Sequence, residues 1–95
     1  MKYKIIKADI FKFKVSNKTN WLFTRLQNNN GLYGWGEATL QGKEFEIFEK
    51  KNHVFQIVLS SKFNTPLDLK SKLPFNNIVE ASISSSIMQC LWDIY

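Results

Sequence analysis

His53 and Cys90 are the only histidine and the only cysteine in a chain of 95 residues, so the side chains best suited to proton transfer, nucleophilic attack or metal ligation occur once each. A zinc or similar metal needs three or four nitrogen, sulfur or oxygen ligands at close spacing, and His53 has no second histidine or cysteine near it in sequence. Pairing Cys90 with His53 as a thiolate couple lacks the third, orienting group that activates such pairs, and Cys90 lies in an apolar stretch that favours burial of a small residue. The carboxylate pairs Glu44 with Glu46 and Glu46 with Glu49 fall where a helix begins, so their first use is to meet the positive end of the helix dipole. The run Gly31-Leu32-Tyr33-Gly34-Trp35-Gly36 echoes a phosphate-binding loop, but such a loop must pass from strand to helix directly. Here the glycines punctuate a strand-like segment, which points instead to close approach of another backbone. No catalytic residue and no metal ligand is therefore assigned in this chain.

The balance of 13 basic against 8 acidic residues gives a formal charge of +5, with a pI near 9.4. Nucleic acid is one partner for such a chain, yet the charge is almost all lysine, spread along the sequence, with Arg25 the single arginine. Base readers rely on arginine forks, so nucleic acid is not expected as a partner. The aromatics beside lysines (Phe11, Phe13, Trp21, Phe23) could stack on unpaired bases, but their alternation equally fits burial under helices, and burial is the expectation. A lone cysteine suits a reducing cytoplasm, and no run approaches the roughly 20 apolar residues of a membrane span. The opening MKYKIIKADIFKFKV is too interrupted by charge for an export signal.

Positioning falls to strands first and helices after. Tyr3 to Val15 alternates with a phase slip that predicts a bulge near Ile10 and Phe11. A polar connector, Ser16 to Asn20, leads to a second strand at Trp21 to Leu26. Asn28-Asn29-Asn30-Gly31 then supplies residues that tolerate positive φ, and Leu32 to Glu37 closes an antiparallel hairpin. Helices are expected over about 43–59 and 77–95, the latter capped by Asn77 with Glu80 and striped by Val79, Ile83, Ile87, Leu91 and Ile94, with a short helical turn near Leu67 to Leu73 between them. The fold class is α+β: a three-stranded antiparallel β-meander, strands within about 3–37, followed by two or three α-helices in one domain over 1–95.

Two blocks carry a family resemblance. Trp21-Leu22-Phe23-Thr24-Arg25-Leu26 with Asn30 to Leu40 resembles the second and third strands of the enolase-superfamily capping domain and its "dG.vGwGEa" pattern. Glu80 to Tyr95 resembles the "aalsAid.ALWDi.gk" helix of the same domain, and Met1 to Ile6 its opening strand. The chain is thus similar to the N-terminal capping domain of the mandelate racemase/muconate lactonizing type. The resemblance implies a lid over a C-terminal (β/α) barrel, joined in cis or in trans. It also implies that the barrel holds the bases and acidic Mg²⁺ ligands of a lyase or isomerase, and that all of these fall beyond Tyr95. This chain alone is expected to be inactive and to bind no cofactor itself. Substrate-facing positions in such a lid fall on Asn20 and Trp21 and on Leu40, Gln41 and Lys43. The run Leu40-Gln41-Gly42-Lys43 looks like the "leGk" of sugar-acid dehydratases and suggests an aldonate, although a polar loop entering a helix explains it equally well. The stretch Phe63 to Asn77 is shorter than in the family and lacks its glycine pair. A free-standing partner-binding module is the alternative, and apolar faces made for a barrel would leave the isolated chain marginally stable or self-associating as a homo-oligomer.

Overall fold

The computed structural model describes residues 3–16, 20–40 and 42–95. Three long strands come first: β1 (Tyr3–Lys14), β2 (Asn20–Asn28) and β3 (Tyr33–Glu37). Helix α1 (Glu44–Ser60) follows, then a two-residue strand β4 (Lys62–Phe63), the short helix α2 (Pro66–Lys70) and helix α3 (Ile78–Ile94). All strand pairs are antiparallel, in the order β3-β2-β1-β4. The fourth strand adds to the expected three: after α1 the chain runs beside the start of β1 and pairs Phe63 with Tyr3 and Lys62 with Lys4. A two-residue strand has no periodicity to read, so it depends on what lies next to it.

The bulge in β1 sits elsewhere than expected. Ile5 faces Asn28 and Lys7 faces Gln27, so Ile6 is the extra residue, and from Ala8 to Lys14 the register is unbroken. This bulge puts Ile5 and then Ala8 and Ile10 on the helix-covered side. Phe11 and Phe13 lie on the other side, opposite Phe23 and Trp21. Both faces of β1 carry apolar residues, and alternation cannot then distinguish a phase slip from a strand with two apolar faces.

Turn chemistry accounts for the hairpin. Only Gly31 takes positive φ there, at 85°; Asn28 instead contributes its side chain, accepting from the Asn30 and Leu32 amides at 3.0 and 2.9 Å. A buried asparagine is tolerable only with its polar atoms satisfied, and its Nδ2 also donates to the Tyr95 hydroxyl at 3.1 Å.

The core lies between the sheet and the helices, with Leu22 and Leu26 of β2, Ile47, Val54 and Val58 of α1, and Ile83, Ile87 and Leu91 of α3 fully buried. Helix α2 begins with a full capping box, the Thr65 hydroxyl on the Asp68 amide and the Asp68 carboxylate on the Thr65 amide, with Pro66 at its first position. The cap of α3 differs slightly from the expected box: Asn77 accepts from the Glu80 amide at 2.9 Å, while Glu80 reaches back to Asn76 rather than Asn77.

Helix α3 lies on β3 at backbone contact distance. A Cβ on Gly34 would meet the Cys90 carbonyl oxygen, and one on Gly36 the Ser86 carbonyl oxygen. The serines of this helix tie it to other parts of the chain. Ser86 accepts from the buried Thr24 hydroxyl at 2.8 Å while donating to the Ile83 carbonyl, and Ser84 donates to the Pro74 carbonyl at 2.7 Å.

Candidate functional site

Two connections leave the same end of the sheet. Strand β1 finishes at Lys14 opposite Asn20, the first residue of β2, and β3 finishes beside Leu22, with the Ala38 amide donating to the Leu22 carbonyl at 2.9 Å. The start of β2 and the segment after Glu37 therefore lie side by side. Asn20 is half-buried at the strand start, and Trp21 is 45% exposed. The indole stands edge-on to Phe23 with ring centres 6.2 Å apart, and Phe13 meets Phe23 in the same way at 5.5 Å.

Across this end, Leu40 packs against the core edge and its carbonyl accepts the Lys43 amide at 2.9 Å. Gly42, at φ 79°, reverses the chain into α1. Lys43 is exposed at the helix start, where its side chain provides no cap. Gln41 lies outside the described residues. The structure thus brings Asn20 and Trp21 to the same end as Leu40 and Lys43, with the exposed apolar residues Phe13, Val15 and Phe45 belonging to the same strand ends and helix start.

The chemical inventory of the described residues is small. No group of three or more His, Cys, Asp or Glu side chains is placed to hold a metal ion, so the residues present do not fit a Mg²⁺ site. His53 is exposed on α1. Burial pushes the Cys90 thiol up to about 12, and it donates to the Thr24 carbonyl at 3.3 Å, so it stays protonated and inert near neutrality. Glu44 and Glu46 occupy the first turn of α1, where carboxylates meet the helix dipole favourably.

The sheet face away from the helices overturns one expectation. Phe11, Phe13, Trp21 and Phe23 do not lie under the helices; they share the open face with Arg25, Tyr33 and Trp35. The Arg25 guanidinium sits 4.8 Å from the Phe11 ring centre, 4.9 Å from Tyr33 and 5.6 Å from Trp35, and is 3.2 Å from Asp9. Sequence periodicity gave a signal for this face, since one strand's odd positions must share a side, but could not tell which side the helices would choose. A groove of about 870 Å³ also lies beside α3, lined among others by Trp35, Lys70, Phe75, Met88 and Trp92. Among the described residues no helix is long and apolar enough to cross a membrane.

No protein-family model and no curated protein matches the chain. Solved structures do. A mandelate racemase/muconate lactonizing enzyme from Bordetella bronchiseptica RB50 aligns over 99% of this chain with a TM-score of 0.79 at 13% identity. A muconate cycloisomerase from Azorhizobium caulinodans gives 0.77 over 99% at 16% identity. An enolase from Agrobacterium radiobacter, a candidate galactarate dehydratase with sodium and L-malate bound, gives 0.74 over 95% at 21% identity. The chain spans 30%, 27% and 24% of the length of these three proteins respectively. At such identities the likeness speaks for backbone architecture alone, and by that architecture this chain has the fold of the matched quarter to third of these mandelate racemase/muconate lactonizing-type and enolase proteins.

Proposed function

We propose that the chain is the lid of an enolase-superfamily active site, closing over a catalytic (β/α) barrel carried in cis or by a separate chain. The observation behind this reading is the convergence of two connections at one end of the sheet, bringing Trp21 and Asn20 beside the segment that carries Leu40 and Lys43. Exposed rings there offer apolar contact to a partner domain, and Lys43 offers a cation to an anionic substrate. The substrate class that fits is a hydroxylated carboxylate such as an aldonate, supported by the lysine and by the similarity of Leu40-Gln41-Gly42-Lys43 to sugar-acid dehydratases. In this reading the lid contributes binding and exclusion of water. Mg²⁺ and the proton-abstracting base belong to the barrel in this reading. The lone thiol of Cys90, already buried, supports action in a reducing compartment such as the cytoplasm.

The test is to read the coding DNA past the Tyr95 codon and its neighbours for a barrel, produce the joined or reconstituted protein, and assay Mg²⁺-dependent turnover of a panel of aldonates. Turnover that requires both parts, with KM raised about tenfold by Lys43→Ala at little change in kcat, is the expected result. A barrel that turns over equally well without this chain would overturn it.

The open aromatic face favours partner contact over nucleic acid. Lys7 and Arg25 there are offset by Asp9 and Glu37, whereas a single-strand platform combines rings with an excess of positive charge. Steep salt dependence of binding to an oligonucleotide would reverse that preference.

A further inference from the structure

The segment carrying Leu40 and Lys43 departs from the sheet through an exchange of hydrogen-bond partners. In the β2–β3 register, Phe23 faces Glu37, so Leu22 and Ala38 form the next pair and would exchange two backbone bonds in a regular ladder. One is made, the Ala38 amide to the Leu22 carbonyl at 2.9 Å. The other is replaced. The Leu22 amide donates to the Thr39 hydroxyl oxygen at 3.0 Å, and the Ala38 carbonyl, released from the ladder, accepts from the Ser82 hydroxyl of α3 at 3.1 Å. The Thr39 hydroxyl also lies 3.5 Å from the Leu22 carbonyl. Two side-chain hydroxyls therefore take over the roles of one backbone bond, satisfying both groups while the chain turns from strand direction towards α1.

We infer that Thr39 and Ser82 are positioning residues that fix the outgoing segment against β2, next to Trp21. Thr39 ties the segment to the strand residue adjacent to Trp21, and Ser82 ties it to α3. The consequence for substrate rests on the lid reading; the positioning itself does not.

The experiment is amide hydrogen exchange, followed by NMR on this chain with Thr39→Val, which keeps the shape and removes the hydroxyl, and Thr39→Ser, which keeps the hydroxyl. Thr39→Val is expected to speed exchange of the Leu22 amide roughly tenfold and to shift the Leu40 and Lys43 amide resonances, while Leu26 deeper in the same strand is unchanged. Thr39→Ser restores Leu22 protection to within about twofold. Ser82→Ala is expected to shift the Leu40 and Lys43 resonances with little change at Leu22. Leu22 protection unchanged in Thr39→Val would overturn the inference, as would equal loss at Leu22 and Leu26, which signals general destabilisation. In the barrel-assembled protein Thr39→Val raises KM about fivefold and leaves kcat within twofold, with Thr39→Ser restoring KM. A normal KM alongside a deprotected Leu22 would leave the positioning intact and refute the lid reading instead.

Discussion

Gly34, Gly36 and the Cys90 thiol show how little room α3 leaves on the sheet. A methyl group at Gly36 would collide with the backbone of α3 at Ser86, and backbone cannot swing aside as a flexible side chain can. Gly36→Ala is therefore expected to cost about 2–3 kcal/mol, the upper part of the usual range for overpacking, read as a lowered urea midpoint with an unchanged slope. Gly31→Ala, in open space but at φ 85°, has only backbone strain to bear and is expected to cost about 1 kcal/mol. Cys90 provides a pH signature. The folded state holds the thiol proton up to about 12, against 9.0 for an unburied thiol, because burial disfavours the thiolate. Since the folded state keeps a proton that the unfolded chain releases, the stability from this group is complete below about pH 9 and is lost as pH rises above it. Unfolding free energies from pH 8 to 10 are expected to fall more steeply in the wild type than in Cys90→Ala, by about 1–2 kcal/mol at pH 10.

Helix α3 is also the guard of a sheet edge. Strand β3 is the outermost strand on its side, and its outward amides would otherwise be free to pair with another chain. Asp93 accepts from the Trp35 amide and Gln89 from the Glu37 amide, both at 2.9 Å, so α3 caps the edge with two side chains one helical turn apart. Spacing of four residues along a helix rises about 6 Å, close to the two-residue repeat of a strand, and this match lets one helix serve alternate amides. Replacing both residues by alanine is expected to cost about 2 kcal/mol and to increase thioflavin-detected aggregation on warming. Asp93→Asn, which keeps a carbonyl acceptor, is expected to retain most of the protection.

The molecule as a whole is layered on one side only. Helices cover one face of the sheet, while Phe13, Trp21, Tyr33 and Trp35 remain 45–51% exposed on the other, grouped about Arg25 and Phe23. Contiguous apolar surface of this kind marks a contact face. The isolated chain is expected to self-associate with rising concentration, measured by light scattering, and Phe13→Ser with Trp21→Ser is expected to shift that association to higher concentration. A core this small also has a narrow stability margin. The expected thermal transition lies below about 60 °C, within the usual 45–65 °C of mesophile domains.

The sequence by itself determined the strands from β1 to β3, both long helices and the α+β order, because period-two and period-3.6 patterns are local properties of the chain. Asn77 before α3 and Gly31 after the asparagines were legible for the same reason: caps and left-handed turns are set by a few neighbouring residues. Only tertiary structure decided the location of the β1 bulge, since that strand is apolar on both faces and Ile6 is singled out only by its partners Asn28 and Gln27. Tertiary structure likewise assigned the aromatic residues to the open face and made a strand of Lys62 and Phe63. It also gave the serines of α3 a purpose, for Ser82 and Ser86 answer a carbonyl and a hydroxyl far away in sequence and Ser84 the Pro74 carbonyl before the helix. Of the candidate site, residue types were readable along the chain, and a meander of three strands already puts the start of β2 and the end of β3 at one end. The ties that hold the outgoing segment there, Thr39 to Leu22 and Ser82 to Ala38, were not legible, because each joins residues that only packing brings together.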